Sequence, residues 1–143
     1  MEEIIAFDDS IQRYINIAKE CVERENYEDA LRYFFCALKK EETEEVISNI
    51  AYTYSEMGLY ELSNKYWIKF LSLNPKEGIG DAYEELGINF FYLDNLILSS
   101  YYLNKKVTID GYLSRDDLSE EILDYFSESV DKKSLYRLAY PFD

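Results

Sequence analysis

The stretch ISNIAYTYSEMGLYELSNKYWIKFLSLNP, residues 47–75, decides the fold. Ile47, Ile50-Ala51 and Tyr54 recur at three- and four-residue steps, the period of one helical face. Ser63 and Trp67 stand four apart on a second face, and Gly58 falls between the two. The pattern returns on both sides. Ala18, Ala51 and Gly87 are separated by 33 and 36 residues; so are Ala30, Ser63 and Ser99, and so are Phe34, Trp67 and Leu103. Two helices shift together each time, so the length changes lie in loops between helix pairs. The longer loop is Asn74-Pro75-Lys76-Glu77-Gly78-Ile79-Gly80. Self-similarity at a fixed period of this size is the signature of a repeat architecture.

The flanking segments carry the same helical period. Ile11, Tyr14, Ile17-Ala18 and Cys21-Val22 form one face, and Tyr27, Ala30-Leu31, Phe34 and Leu38 form the next. Ser10 is expected to cap the first helix, Asn26 stands where the second begins, and Thr43 precedes the third. Helices of a pair approach closely only where side chains are small. Ala18 should therefore meet Ala30, Ala51 should meet Ser63, and Gly87 should meet Ser99. Phe34, Trp67 and Leu103 then fill the space between pairs, because each pair alone leaves an apolar face uncovered.

These residues resemble the tetratricopeptide repeat family, whose pattern runs aromatic-x2-Leu-Gly-x2-Tyr, then Ala-x3-Phe, then Pro. The first copy offers Tyr14, Ile17-Ala18, Cys21, Ala30 and Phe34. The second offers Ile47, Ile50-Ala51, Tyr54, Gly58, Tyr60, Ser63, Trp67 and Pro75, and the third Tyr83, Leu86-Gly87, Phe90, Ser99 and Leu103. The departures are Glu42 and Gly111 in place of the terminal proline, and Lys106 where the family usually keeps alanine. The resemblance covers about residues 11–108 and implies an all-α fold, an α-solenoid of antiparallel helix pairs closed by a C-terminal capping helix. It divides a single domain, 1–143, into an N-terminal extension (1–10), three repeats (11–43, 44–77 and 80–111) and a capping helix with an aromatic tail (112–143).

The ends fit that division. Ile4, Ile5 and Phe7 suit a short extension of the first helix. Ser114-Arg115-Asp116-Asp117 reads as a capping box with aspartate in the glutamate's role, and Leu118, Ile122, Tyr125-Phe126 and Val130 follow at helical spacing. Repeat arrays need such a polar-backed cap. The tail holds Leu135, Tyr136, Leu138, Tyr140 and Phe142, too much apolar surface to leave in water.

Composition excludes several classes. The 143 residues include 15 basic and 29 acidic side chains, a formal charge of −14. That opposes binding to a phosphate backbone or to an anionic membrane. The charge divides as −7 over residues 1–45, 0 over 46–75 and −7 over 76–143, so it makes no continuous nucleic-acid-like stripe. With 48% apolar residues the chain is no disordered acidic tail. The acidic start Met1-Glu2-Glu3 is unlike a signal peptide, and no apolar stretch reaches membrane-spanning length. Two isolated cysteines, Cys21 and Cys36, make neither a disulfide framework nor a zinc site. The expected location is cytoplasmic.

Little in the chain points to catalysis. There is no histidine, the commonest general base and metal ligand. Gly78-Ile79-Gly80 follows a proline-bearing loop, not a strand, and lacks the lysine of a phosphate loop. Asp8-Asp9, Glu84-Glu85 and Asp116-Asp117 are adjacent carboxylates, which diverge by about 100° on a helix and make no acid/base dyad. Glu120, Glu121, Asp124 and Glu128 lack calcium-loop spacing and read as a solvated face. No enzyme activity, metal or cofactor is expected.

The 15 tyrosines divide into packing and interface candidates. Tyr14, Tyr54 and Tyr83 are repeat-defining core positions. Tyr52, Phe91 and Tyr92 fall on other faces, where tyrosine's rigid amphipathic ring suits an interface as well as inter-helix packing.

In the resembled family the first helices of the pairs line a concave groove. Carried over position by position, the partner-binding residues implied here are Lys19, Asn49, Tyr52, Asp81, Glu84, Glu85, Ile88, Phe91 and Tyr92, with Gln12, Ile15, Asn16, Glu23, Glu45, Ser48, Ser55 and Glu56 beside them. One subgroup of the family clamps the C-terminal carboxylate of chaperones. Asn49 matches its pattern, but Ile15 and Lys19 replace a lysine and an asparagine, and Asp81 and Glu85 stand at two basic positions. The acids would repel such a ligand. The reading that results is a protein-interaction adaptor or scaffold whose groove takes a peptide with lysine or arginine beside an apolar anchor. The alternatives are a regulator sensing a short signalling peptide, and self-association through the cap helix and tail, giving a homo-oligomer.

Overall fold

The computed structural model describes the backbone of residues 2–111 and the side chains of residues 10–111. The capping helix and aromatic tail expected over 112–143 lie outside the described residues. Six helices follow one another: α1 (Glu2–Glu23), α2 (Tyr27–Lys40), α3 (Glu44–Glu56), α4 (Tyr60–Ser72), α5 (Ile79–Tyr92) and α6 (Leu96–Asp110). No strand occurs among the described residues. The fold class is all-α, an α-solenoid of paired helices. The chain divides into two compact units, Met1–Asn74 and Pro75–Asp143, so the break falls in the longer loop. In the first unit α1 packs on α2, α2 on α3 and α3 on α4; in the second α5 packs on α6.

The pairs are antiparallel because three-residue turns join them, and all three turns have one construction. Glu25, Gly58 and Asp94 take left-handed backbone angles, with φ of 60°, 75° and 60°. The next amide closes on the carbonyl five residues back: Asn26 on Cys21 (2.8 Å), Leu59 on Tyr54 (2.9 Å) and Asn95 on Phe90 (2.9 Å). The left-handed residue's own amide closes three back, on Val22, Ser55 and Phe91. This is the Schellman arrangement that satisfies the last carbonyls of a helix. Its left-handed positions stand 33 and 36 apart, the same intervals as the small-residue contacts.

Those contacts form as the spacing requires. Ala18 and Ala30 are fully buried in one core cluster with Ile15, Leu31, Phe34, Ala37, Val46 and Ile50. Ser63 donates its hydroxyl to the Ala51 carbonyl at 2.7 Å, and Ser99 donates to the Gly87 carbonyl at 2.7 Å. Each serine lets two helices approach closely while leaving no buried hydroxyl unbonded. Phe34, Trp67 and Leu103 are all buried. Each helix pair also carries aromatic contacts, whose second-helix members Tyr33, Tyr66 and Tyr102 keep the 33 and 36 intervals: Tyr14 faces Tyr33 at 6.3 Å, Tyr54 stacks on Tyr66 at 5.7 Å, and Tyr102 stacks on Phe90 at 5.6 Å and on Tyr83 at 6.0 Å.

One start signal is corrected. Ser10 does not cap α1, because the helix begins at Glu2 and Ser10 lies inside it. No proline or glycine interrupts residues 2–9, so the helix has no reason to stop before them. Thr43 does cap α3, accepting from the Val46 amide at 3.2 Å. Asn26 sits at the N-cap of α2 but donates its side-chain amide to the Asp29 carboxylate at 2.8 Å, without a side-chain bond to the helix's amides.

Candidate functional site

The first unit holds a cleft of about 470 Å³ where α1, the α1–α2 turn and α3 converge. Helical spacing selects its lining. Lys19, Val22 and Glu23 share a face of α1, and Asn49, Tyr52, Thr53 and Glu56 share a face of α3. Glu25 comes from the left-handed turn, and Tyr27 opens α2.

Internal bonds hold this lining in place. Lys19 pairs with Glu45 at 3.0 Å, tying α1 to α3. Both side chains are about half exposed (48% and 51%), so the pair contributes about 0.2–1 kcal/mol and its main effect is on position. The Asn49 side-chain amide donates to the Glu45 carbonyl at 2.9 Å, and the Thr53 hydroxyl donates to the Asn49 carbonyl at 2.7 Å. Tyr52 is 40% exposed and meets buried Trp67 edge-on, with ring centroids 4.7 Å apart.

The cleft is electronegative. Glu23, Glu25 and Glu56 line it against the single cation Lys19, which is already engaged by Glu45. The phenol of Tyr27 is harder to ionise than an ordinary tyrosine, first through partial burial and then through the carboxylates of Glu25 and Glu56.

Lys19, Asn49 and Tyr52, singled out from the sequence, thus share one cleft. The remaining six candidates lie on α5, in the second unit. Asp81 is exposed and stands 3.6 Å from the Lys106 ammonium. Glu85 and Ile88 are half-buried. Phe91 is half-buried and lies edge-on to Tyr92 at 5.7 Å, with Tyr92 40% exposed. Glu84 departs from the expectation of a ligand-facing acid, being only 3% exposed. It lies one turn before Gly87, on the side where α6 comes closest, and its carboxylate acts on buried Lys106. Ile15 is also buried, in the core of the first unit.

Val22, Glu25, Tyr27 and Thr53 line the cleft without having been singled out for it. Glu25 and Tyr27 belong to a turn and to a second helix, whereas the candidates were drawn from first helices alone. The available signal was positional: Glu25 stands 33 residues before Gly58, the glycine that marks the second turn. Among the described residues no group of three or more acidic or cysteine side chains is placed to hold a metal ion. No described helix is long and apolar enough to cross a membrane.

No protein-family model matches the chain, and no curated protein matches it in sequence. Among solved structures it is similar to the MamA protein, a tetratricopeptide-like helical repeat, with a TM-score of 0.74. The superposition covers 92% of this chain and 70% of that one, at 17% identity. At that identity the likeness establishes the fold alone: this is a helical-repeat protein.

Proposed function

We propose that the protein is a non-catalytic interaction module of the tetratricopeptide type, an adaptor or scaffold that binds a basic or basic-apolar peptide segment. The reading includes a single repeat array over residues 1–143, with a cap and tail after Gly111. The observation that carries it is the cleft of the first unit, where Glu23, Glu25 and Glu56 face open space with no lysine or arginine in salt-bridge reach among the described residues. Helical repeats present rigid surfaces of this kind to extended partners. In the second unit α5 carries further acidic and aromatic side chains at the implied groove positions, Asp81, Glu85 and Tyr92.

An array of immobilised peptides tests the reading. Peptides with lysine or arginine beside leucine or phenylalanine should retain the protein, and their glutamate counterparts should not. The variant Glu56→Lys with Glu85→Lys, checked for unchanged helicity, should lose that retention. Equal retention on acidic and basic peptides would refute the proposal.

A further inference from the structure

The charge and shape of the first unit's cleft allow its ligand to be narrowed, on the reading that the protein is a peptide-binding module. We propose that this cleft is a receptor for one arginine side chain of the partner.

The argument begins with size. A volume of about 470 Å³ lies within the range of small-ligand sites and holds a guanidinium with its three-carbon stem. The lining is then matched to such a group part by part. Val22 and the rings of Tyr27 and Tyr52 offer apolar and aromatic surface to the stem and to the guanidinium plane. Arginine uses aromatic faces more effectively than lysine does, because its planar, weakly hydrated cation stacks on them. The three glutamates come from three different places, the end of α1, the turn after it and the end of α3. Carboxylates arriving from several directions suit a fork of five donors better than a compact ammonium.

Charge complementarity points the same way. Lys19, the one cation of the lining, is held by Glu45, and no ion pair among the described residues involves Glu23, Glu25 or Glu56. Several acids elsewhere do have a cation: Asp29 has Arg32, Glu42 has Lys69, and Asp81 and Asp110 share Lys106. Burial raises the pKa of Tyr27 first, and the Glu25 and Glu56 carboxylates beside it raise it further.

The test uses the full chain and three small probes: the N-acetyl methylamides of arginine, lysine and citrulline. Citrulline keeps the shape of arginine and lacks its charge. In two-dimensional amide NMR the arginine probe should cause saturable shifts at Glu23, Glu25, Tyr27, Tyr52 and Glu56. Lysine should bind more weakly, and citrulline should cause no localised shift. Glu25→Gln with Glu56→Gln, both exposed positions, should weaken the arginine probe about tenfold or more, as expected for the loss of two charged acceptors. Circular dichroism checks that the helices are intact. Equal binding of arginine and citrulline, equal binding of arginine and lysine, or an unchanged affinity in the double variant would each overturn the assignment. If the peptide array retains the protein while the arginine probe leaves the cleft untouched, the arginine site falls and the interaction reading stands. If basic peptides are not retained either, both fall.

Discussion

Leu103 on α6 occupies the space that a side chain at Gly87 on α5 would need. A Cβ built on Gly87 would lie 2.7 Å from both Cγ and Cδ2 of Leu103, and 3.2 Å from the Ser99 carbonyl oxygen. The matching positions of the earlier pairs hold Ala18 opposite Phe34's helix and Ala51 opposite Trp67's. In the second unit the space of that methyl group has therefore gone to Leu103.

Gly87→Ala should consequently destabilise the protein, although alanine is the better helix former by about 1 kcal/mol. Overpacking costs about 1–3 kcal/mol when neighbours are fixed, and the Ser99 carbonyl is backbone. Combining Gly87→Ala with Leu103→Val should cost less than the two single changes added together, because the pair shares one volume. Urea denaturation of the four proteins measures the coupling. Strict additivity would mean that the two side chains do not compete for space.

The left-handed turns make a prediction of opposite sign. Asp94 holds φ of 60°, and Gly58 has nothing within 4 Å of the place a methyl group would take, so only the backbone angle matters there. Left-handed conformation costs a non-glycine residue about 1–2 kcal/mol, partly offset by glycine's greater freedom in the unfolded chain. Asp94→Gly should raise the melting temperature, and Gly58→Ala should lower it. A fall in both would show that the turns are not held as described.

Repeat intervals of 33 and 36 made the small-residue contacts, the burial of Phe34, Trp67 and Leu103 and the fold class legible in the sequence alone. Turns were less legible, because Glu25 and Asp94 perform Gly58's task without its chemical mark. Lys106 was visible only as a residue out of place. The carboxylates that justify it, Asp81, Glu84 and Asp110, come from a neighbouring helix and from the next turn, beyond the reach of one face's periodicity. The same limit applies to the cleft. Single-helix faces yielded Lys19, Asn49 and Tyr52, while Glu25 and Tyr27 enter through the turn.

Trp67 tests the packing of the first unit. It is 1% exposed, lies 4.7 Å from the Tyr52 ring and 5.7 Å from the Phe70 ring, and its indole nitrogen has no hydrogen-bond partner among the described residues. Trp67→Ala should cost about 3–5 kcal/mol. Trp67→Phe removes volume but no hydrogen bond, and should retain most of the lost stability. Tryptophan fluorescence of the native protein should be blue-shifted and resist acrylamide quenching; ready quenching would contradict the burial.

Lys106 makes stability depend on alkaline pH. Its side chain is 4% exposed, donates a hydrogen bond to Asp110 and lies 3.6 Å from Asp81. Burial pulls its pKa down, but the bond to Asp110 and the charges of Glu84, Asp110 and Asp81 outweigh that and leave it above the ordinary 10.5. A lysine whose folded pKa exceeds its unfolded value binds its proton more tightly in the folded state. The stabilisation is fully present below the unfolded value and disappears as pH rises through the folded one. Burial, more than neighbouring phenols, likewise raises the pKa of Tyr54 and Tyr102, adding loss in the same direction. The melting temperature should therefore drop above pH 10.5. Lys106→Met should show a smaller drop there, since it has no ammonium left to titrate. At neutral pH the same variant should lose about 3–5 kcal/mol, because it takes away a cation whose charge acts on the buried Glu84 carboxylate, 3% exposed. Adding Glu84→Gln should recover much of that loss by removing the buried charge. No recovery would mean that Lys106 acts by filling space, and the alkaline difference between the wild type and Lys106→Met would then vanish as well.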